Sequence, residues 1–579
     1  MKRRLSLGGN RPPAPFATLV THFVKRMFAS DEDQGSGAVS LGLGAVLAIL
    51  ASPGAFASIF LMDKYSTLLQ WFRGQTNFNP YRASVADEYF FVVLSMTVTG
   101  LIMVLRWNRL LPDAADFLNL AVLPIPIRNI FLANFAALIG LALLFGIDLN
   151  AVSSFLFPVF VTVSDGSFPA FARLATAHLA AVFLASLFSF FAVFALVGLL
   201  MLLTPKRLFR PLSIAVRMAL VILLLSVFLS NLFLQLFSGR LPHLRDLYMR
   251  WLPSYWFLGI YETIGRFASP TMKALAAEAV TALCAAIVIA VVAYALCYRR
   301  HFLRLSEAMD LAGPRRRSFR IALPCWWERV LFRSDFEHAC IAFMRKVLLR
   351  SERHLMFLGG YIGIGLVLSA QMAASSASRH SGTNLPNDEW LAVPLIMAIS
   401  FVTGLRFAFD IPAALPAHWI FRIGAGTPIP APAAVARKFI LWTVLPWETL
   451  GLGFITAREF GWAVAIEHVA TVVVLTVLLI DASLYEFHKI PFTYRAQLDS
   501  RRLLFRMLAP LFGVLIVAPG LAAFEHWMLV QPVRFTALGI LAGTACYCLR
   551  RHNREALPYQ QAISFEQQST ASFELLKLS

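Results

Sequence analysis

The sequence predicts an all-α polytopic integral membrane protein. About twelve transmembrane helices are expected, as two parallel six-helix repeats, each with an N-terminal interfacial amphipathic helix. Three observations carry this. Of 579 residues, 58% are hydrophobic and only 14% charged, and the mean hydropathy is +0.68; a soluble chain is about a quarter charged. The chain echoes itself at long range. Its basic residues gather in alternate loops, which fixes an expected orientation.

The clearest echo lies after the second apolar run. Val98-Thr99-Gly100-Leu101, Leu111-Pro112, Phe117 and Pro124-Ile125-Pro126 recur 304 residues later as Val402-Thr403-Gly404-Leu405, Leu415-Pro416, Phe421 and Pro428-Ile429-Pro430. Upstream, Phe16, Phe23, Lys25-Arg26 and Phe28 match Phe336, Phe343, Arg345-Lys346 and Leu348 at an offset of 320. Downstream, Ala177-His178-Leu179-Ala180 matches Glu467-His468-Val469-Ala470 at 290, and Cys297 to His301 matches Cys548 to His552 at 251. Collinear anchors with steadily falling offsets need only deletions in the second copy's loops, the signature of an internal duplication.

Taken in order, residues 1–14 are basic and read as a disordered cytoplasmic tail. The first six-span repeat is expected over 15–300. Apolar residues at 16, 19, 20, 23 and 27 form a helical stripe opposite Thr18, Thr21, His22, Lys25 and Arg26, as in a helix lying in the interface. The first apolar run begins near 38, too far in and too long for a cleavable signal, and reads as a retained span. Spans follow near 38–62, 89–105, 129–147, 173–203, 213–236 and 274–297. Residues 149–163 are apolar too, but Asn150 and Pro158 suggest a short or re-entrant helix. A basic cytoplasmic linker over 301–335 includes Arg315-Arg316-Arg317. The second, partly degenerate repeat over 336–552 opens with Phe336, Cys340, Phe343 and Val347 on one helical face. Its spans fall near 355–373, 391–409, 437–456, 460–483, 507–524 and 533–549, and a polar C-terminal tail occupies 553–579.

Loop charge orients the chain. Residues 298–354 carry thirteen Lys/Arg, 204–217 four and 484–506 five, whereas 148–172 carries none. Both termini and the linker are therefore expected in the cytoplasm of a cell (inner or plasma) membrane. Two outer loops fit less well; 63–88 carries Lys64, Arg73 and Arg82, balanced by Asp63, Asp87 and Glu88, and 238–272 carries four Arg. The net charge of +19 then reflects basic cytoplasmic loops rather than nucleic-acid binding.

No nucleotide-binding loop G-x-x-x-x-G-K-[ST], dinucleotide fingerprint or H-E-x-x-H pair is present. Catalysis by this chain, a metal site and a resident cofactor are not expected. The six cysteines lie in spans or inner loops, where no disulfide framework forms. Ionisable residues inside spans are costly and mark function by default. The matched His178 and His468, with Glu467 beside the second, are the intramembrane polar candidates. They read either as a polar or proton-linked seam or, more simply, as histidines bonded to a neighbouring helix near the outer interface. Tyr89, Trp251, Trp256 and Trp527 read as interfacial anchors.

An interfacial helix, six spans, a cytoplasmic loop leading into Leu123-Pro124-Ile125-Pro126-Ile127-Arg128-Asn129-Ile130, and an outer segment Leu252-Pro253-Ser254-Tyr255-Trp256-Phe257 together resemble the permease subunits of type-2 ABC exporters. The resemblance covers roughly residues 15–300 and implies a fused tandem of two such units. It implies a separate ABC ATPase subunit that binds ATP, and export by alternating access as one half rocks against the other. The loop 106–128 is then similar to the helix that docks on the ATPase, with Leu111, Pro112, Asp113, Asp116, Phe117, Pro124, Ile125 and Pro126 as candidate coupling residues. Pro at a first helical position, followed by an acid, suits a helix start. The second copy departs from the pattern, with His418, Trp419 and Arg422 and no acids there, which puts its coupling role in doubt. The bilayer is the other expected partner, and a homo-oligomer is left open. A gradient-driven secondary transporter is the rival reading, and a non-transporting membrane scaffold a third.

Overall fold

In hydrocarbon every backbone N–H and C=O must find a partner within its own segment, so long apolar runs can fold only as helices or closed barrels. The computed structural model describes residues 15–28, 43–65, 79–110, 120, 125–163, 166–237, 251–265, 269–310, 335–378, 386–411, 432–485, 487, 491–492, 500–529, 531 and 533–555. Among them the regular structure is helical throughout. Residues 1–14 and 556–579, most of 301–335 and most of the segments 106–128 and 410–432 lie outside these residues.

The helices are α1 (Pro15–Phe28), α2 (Leu43–Tyr65), α3 (Pro80–Leu105), α4 (Ile127–Thr162), α5 (Phe168–Leu203), α6 (Lys206–Phe237), α7 (Pro253–Gly265) and α8 (Pro270–Asp310). There follow α9 (Asp335–Arg350), α10 (Glu352–Ser378), α11 (Asp388–Ala408), α12 (Pro432–Pro446), a π turn (Trp447–Leu452) and α13 (Gly453–Phe460). The last are α14 (Trp462–Ser483), α15 (Ser500–Leu529) and α16 (Arg534–Glu555). Nine stretches among the described residues are long and apolar enough to cross a bilayer: 80–105, 127–162, 168–203, 211–231, 270–297, 352–376, 388–408, 433–460 and 462–483. Helices α2, α15 and α16 cover the positions of the other three expected spans.

Two compact units divide the chain. One comprises Met1–Ser213 and Val227–Arg316, the other Ile214–Ser226 and Arg317–Ser579. In the first, α1 buries Leu19 and Phe23 against Leu120, Ile130, Ala133 and Ala137; of the expected stripe Leu19, Phe23 and Met27 are buried and Val20 partly so, while Phe16 is exposed. Asn79 caps α3 by accepting from the backbone N–H groups of Tyr81 and Arg82, with Pro80 at the first helical position. α2 lies so close to α4 that a Cβ on Gly54 would stand 2.8 Å from the Leu149 carbonyl oxygen. In the second unit, α9 buries Cys340, Ile341, Met344 and Leu348 in a cluster with Val402, Leu405, Phe439 and Phe492. Burial there pushes the Cys340 thiol up to about 12. The Ile214–Ser226 segment of α6 belongs to this unit through Arg217, whose Nη2 donates to Glu352 Oε2 at 2.7 Å.

The structure corrects three sequence expectations. Residues 149–163 form no separate re-entrant helix, because α4 runs unbroken through Asn150 and Pro158 to Thr162. At 36 residues, α4 and α5 are each about 54 Å long, well beyond the roughly 30 Å hydrocarbon core. Asp87 and Glu88 are not loop charges; they lie in the third turn of α3 and are fully buried. Tyr89, expected at the interface, is buried as well, stacked on Tyr255 of α7 with ring centroids 4.4 Å apart.

Candidate functional site

The Pro80 end of α3 brings an unusual density of buried polar groups into the first unit. A charge taken out of water must be paired and hydrogen-bonded to be tolerated, and the neighbouring helices supply the partners. Lys64 of α2 places Nζ 2.7 and 2.8 Å from the two Asp87 carboxylate oxygens. The Tyr65 hydroxyl donates to Asp87 as well. One residue on, Glu88 Oε2 meets His178 Nδ1 of α5 at 2.5 Å, with neither side chain exposed.

From His178 the polar row continues inward. Its Nε2 is 3.2 Å from Ser153 Oγ on α4, and that hydroxyl reaches the Asn150 carbonyl at 3.1 Å. A hydroxyl has one proton to give, so Ser153 can donate to Asn150 or to the imidazole but not to both. Asn150 Nδ2 donates to the Gly146 carbonyl at 2.8 Å and to Ser186 Oγ of α5 at 3.1 Å, while its Oδ1 accepts from Ser95 of α3. Phe91 and Phe157 cover the imidazole, with centroids 5.1 and 5.2 Å from it. α7 closes the cluster: Tyr261 donates to Ser84 at 3.1 Å, and Ser254 to the Tyr89 hydroxyl at 3.0 Å. One buried atom here, Glu88 Oε1, has no hydrogen-bond partner among the described residues.

The second unit repeats the chemistry with a different partner. His468 Nδ1 of α14 lies 2.6 Å from Glu525 Oε1 of α15, both buried. Thus His178 takes its carboxylate from α3, whereas His468 takes one from α15. Glu467 is only half-buried, and it is its backbone carbonyl that accepts from Thr471 at 3.0 Å. The sequence reading singled out both histidines but missed Glu88 and Glu525. The signal for Glu88 was present: a helix begun by Asn79-Pro80 carries it eight residues into the span.

Two further features stand apart. Glu448 occupies the π turn and is buried; Thr476 donates to its Oε1 at 3.3 Å and its Oε2 has no partner among the described residues. In the first unit an apolar cavity of about 430 Å³ is lined by Met27, Pro53, Thr99, Met103, Phe145 and Leu149, and also by Arg106 and Leu110.

Of the candidate coupling residues, Leu111, Pro112, Asp113, Asp116, Phe117 and Pro124 lie outside the described residues, while Ile125 and Pro126 lead into α4. The root of that loop is held firmly. After the 3₁₀ turn Trp107–Arg109, Arg109 Nη1 donates to the Arg26 carbonyl at 2.9 Å and Arg26 Nη2 returns a bond to the Arg109 carbonyl at 2.6 Å. Asn134 Nδ2 of α4 donates to the Leu110 carbonyl at 2.9 Å. No group of three or more His, Cys, Asp or Glu side chains suited to a metal ion occurs among the described residues. Searches of protein-family models, of curated proteins and of solved structures find no match to this chain.

Proposed function

We propose that the chain is the transmembrane permease component of an ABC-type exporter, built as a fused tandem of two six-span units and driven through alternating access by a separate ATPase chain. The observation that carries this reading is the clamp at Arg26, Arg109 and Asn134. It ties the last described residues before the 111–124 loop to the interfacial helix α1 and to span α4 at once. A push delivered to that loop then reaches a spanning helix through short hydrogen bonds rather than dissipating in a loose linker. The element order supports the tandem: an interfacial helix precedes a set of spans in each unit, α1 before α2 to α8 and α9 before α10 to α16, with α7 alone lacking a counterpart. The cavity beside α3 and α4 has the apolar lining and the size of a small-molecule site, which favours an apolar or amphipathic substrate.

The gradient-driven secondary transporter remains the second reading because of Glu448. A carboxylate that has no ion-pair partner among the described residues, buried at a π turn in a span, is the kind of group a coupling proton or cation occupies.

One purification separates the two. Tagged full-length protein is expected to bring down a chain bearing a nucleotide-binding loop, and to lose it in the Leu111→Asp/Phe117→Asp variant. If no ATPase accompanies the wild-type protein and its proteoliposomes take up protons in a manner abolished by Glu448→Gln, the exporter reading falls and the second stands.

A further inference from the structure

We propose that Glu448 is a proton-binding site within the membrane-spanning part of the chain, its carboxyl holding one proton that exchanges with water. Among the described residues five acids are buried in the long apolar helices, and four of them face a base: Asp87 has Lys64, Glu88 has His178, Asp481 has Arg437 and Arg550, and Glu525 has His468. Glu448 is the fifth, 2% exposed, and its one partner is the neutral Thr476 hydroxyl, 3.3 Å from Oε1. It sits near the middle of the apolar stretch 433–460, and Thr476 near the middle of 462–483. An ionised carboxylate so placed would be a buried charge without compensation, which hydrocarbon does not tolerate. A proton removes that charge.

Among the described residues nothing on the surrounding helices substitutes for that proton. α11, α12, α13 and α14 pack against the π turn. Their bases are committed elsewhere: Arg406 to Asp410, Arg437 to Asp481, Lys438 to Glu337 and His468 to Glu525. Arg458 and Glu459 lie about 15 Å further along α13, and Asp388, Glu389 and Glu467 lie within two turns of the starts of α11 and α14. The hydroxyls of Thr449 and Thr456 donate to carbonyls of their own helices, Leu445 at 2.8 Å and Leu452 at 2.9 Å. Calcium and magnesium take about six oxygen ligands or more; a carboxylate with one threonine falls short, whereas a proton needs a single acceptor. Nor does the turn need the acid to form. Pro446 lacks the N–H that would bond the Trp442 carbonyl, which breaks the α register there, and Thr449 satisfies the Leu445 carbonyl. Exchange with water requires the buried site to open, and a π turn is a place where a helix bends.

The site is the one on which the second reading above rests, and its proton is read on the chain itself, without transport. The test uses the purified full chain in detergent and infrared spectroscopy in water and in D2O. The wild type is expected to show a carboxylic-acid C=O band that Glu448→Gln lacks and that shifts to lower frequency within minutes of transfer to D2O. Circular dichroism verifies the fold of that variant; should it fail, Glu448→Asp takes its place and is expected to move the band instead of removing it. Excess sodium or calcium chloride should leave the band unchanged. A variant spectrum identical to the wild type in this region, a band that stays in place after a day in D2O, or one that either cation removes would each overturn the proposal. If the band behaves as expected while wild-type proteoliposomes take up no protons, the proposal stands and the second reading falls alone.

Discussion

Removing His178 should unfold the first unit more readily than any other single truncation in its polar row. Glu88 is fully buried, and among the described residues its Oε1 already lacks a partner while Oε2 has only His178. In His178→Ala the carboxylate keeps its burial and loses its one strong bond. Breaking a buried pair in this way costs about 3–5 kcal/mol. Glu88→Gln leaves an oxygen to accept from the imidazole, and its cost falls to about 1–2 kcal/mol. The double change Glu88→Met/His178→Leu removes both polar groups while keeping the volume, and apolar replacement of a buried ion pair is close to neutral. The assay is thermal unfolding of the detergent-solubilised chain followed by tryptophan fluorescence, where each kcal/mol lowers the midpoint by roughly 2–4 °C. His178→Ala should melt about 6–20 °C below the wild type, with the double variant recovering most of that loss. A His178→Ala midpoint within a degree or two of wild type, or a double variant at least as unstable as His178→Ala, would refute the reasoning.

The same logic at the other unit predicts that Glu525→Ala lowers the melting midpoint, and that Glu467→Ala, which removes a half-buried side chain next to His468, leaves it nearly unchanged. Gly259 of α7 sits against α8, and a Cβ there would stand 2.6 Å from the Met272 carbonyl oxygen and 2.8 Å from the Ala276 nitrogen. Gly259→Ala should therefore cost roughly 1–3 kcal/mol, whereas Gly140→Ala, whose Cβ meets nothing within 4 Å, should be neutral or stabilising. Glu262 of α7, outside the spanning helices, has its carboxyl raised by burial to about 7. The fold thus favours the protonated acid: this group's contribution is complete below the unfolded value near 4.5, declines as the pH rises through 7, and is flat above. Melting midpoints measured from about pH 5 to 8 should fall in the wild type more than in Glu262→Gln; parallel curves would sink the assignment.

What could be read from the sequence divides along a physical line. Hydropathy and period find helices because the bilayer leaves the backbone no other local solution, but the face they assign can be turned: on α9 the expected face is Phe336, Cys340, Phe343 and Val347, whereas Cys340, Ile341, Met344 and Leu348 are buried and Phe343 and Val347 only partly so. The other errors came where a polar residue was judged without its partner. Asn150 looked like a helix breaker, yet its amide is satisfied by Gly146 and Ser186, so α4 continues through it. Pro158 removes one backbone donor, and the Thr162 hydroxyl bonds back to its carbonyl at 2.8 Å within an unbroken helix. Asp87 and Glu88 were placed in a loop because acids are expelled from spans unless something answers them. What answers them, Lys64, Tyr65 and His178, is distant in sequence and adjacent only after folding.

That dependence on distant partners also bears on why the two histidines differ. Under the proposed duplication, an ancestral histidine near the start of the fourth span would have been inherited by both halves. Hydrocarbon penalises an unanswered imidazole equally in each, but the penalty does not specify which helix must supply the carboxylate. In the first unit α3 supplies Glu88, at the end of the molecule where α7 adds its own hydroxyls. In the second unit, where the described residues include no counterpart of α7, α15 supplies Glu525. The pair is therefore constrained by the need for compensation and free in its geometry, which fits a contact that locks α3 to α5 in one half and α14 to α15 in the other. A shared catalytic or ion-binding constellation would have required the same helices in both, and the lone Glu448, which belongs to one half only, is where an ion-linked role would have to be sought.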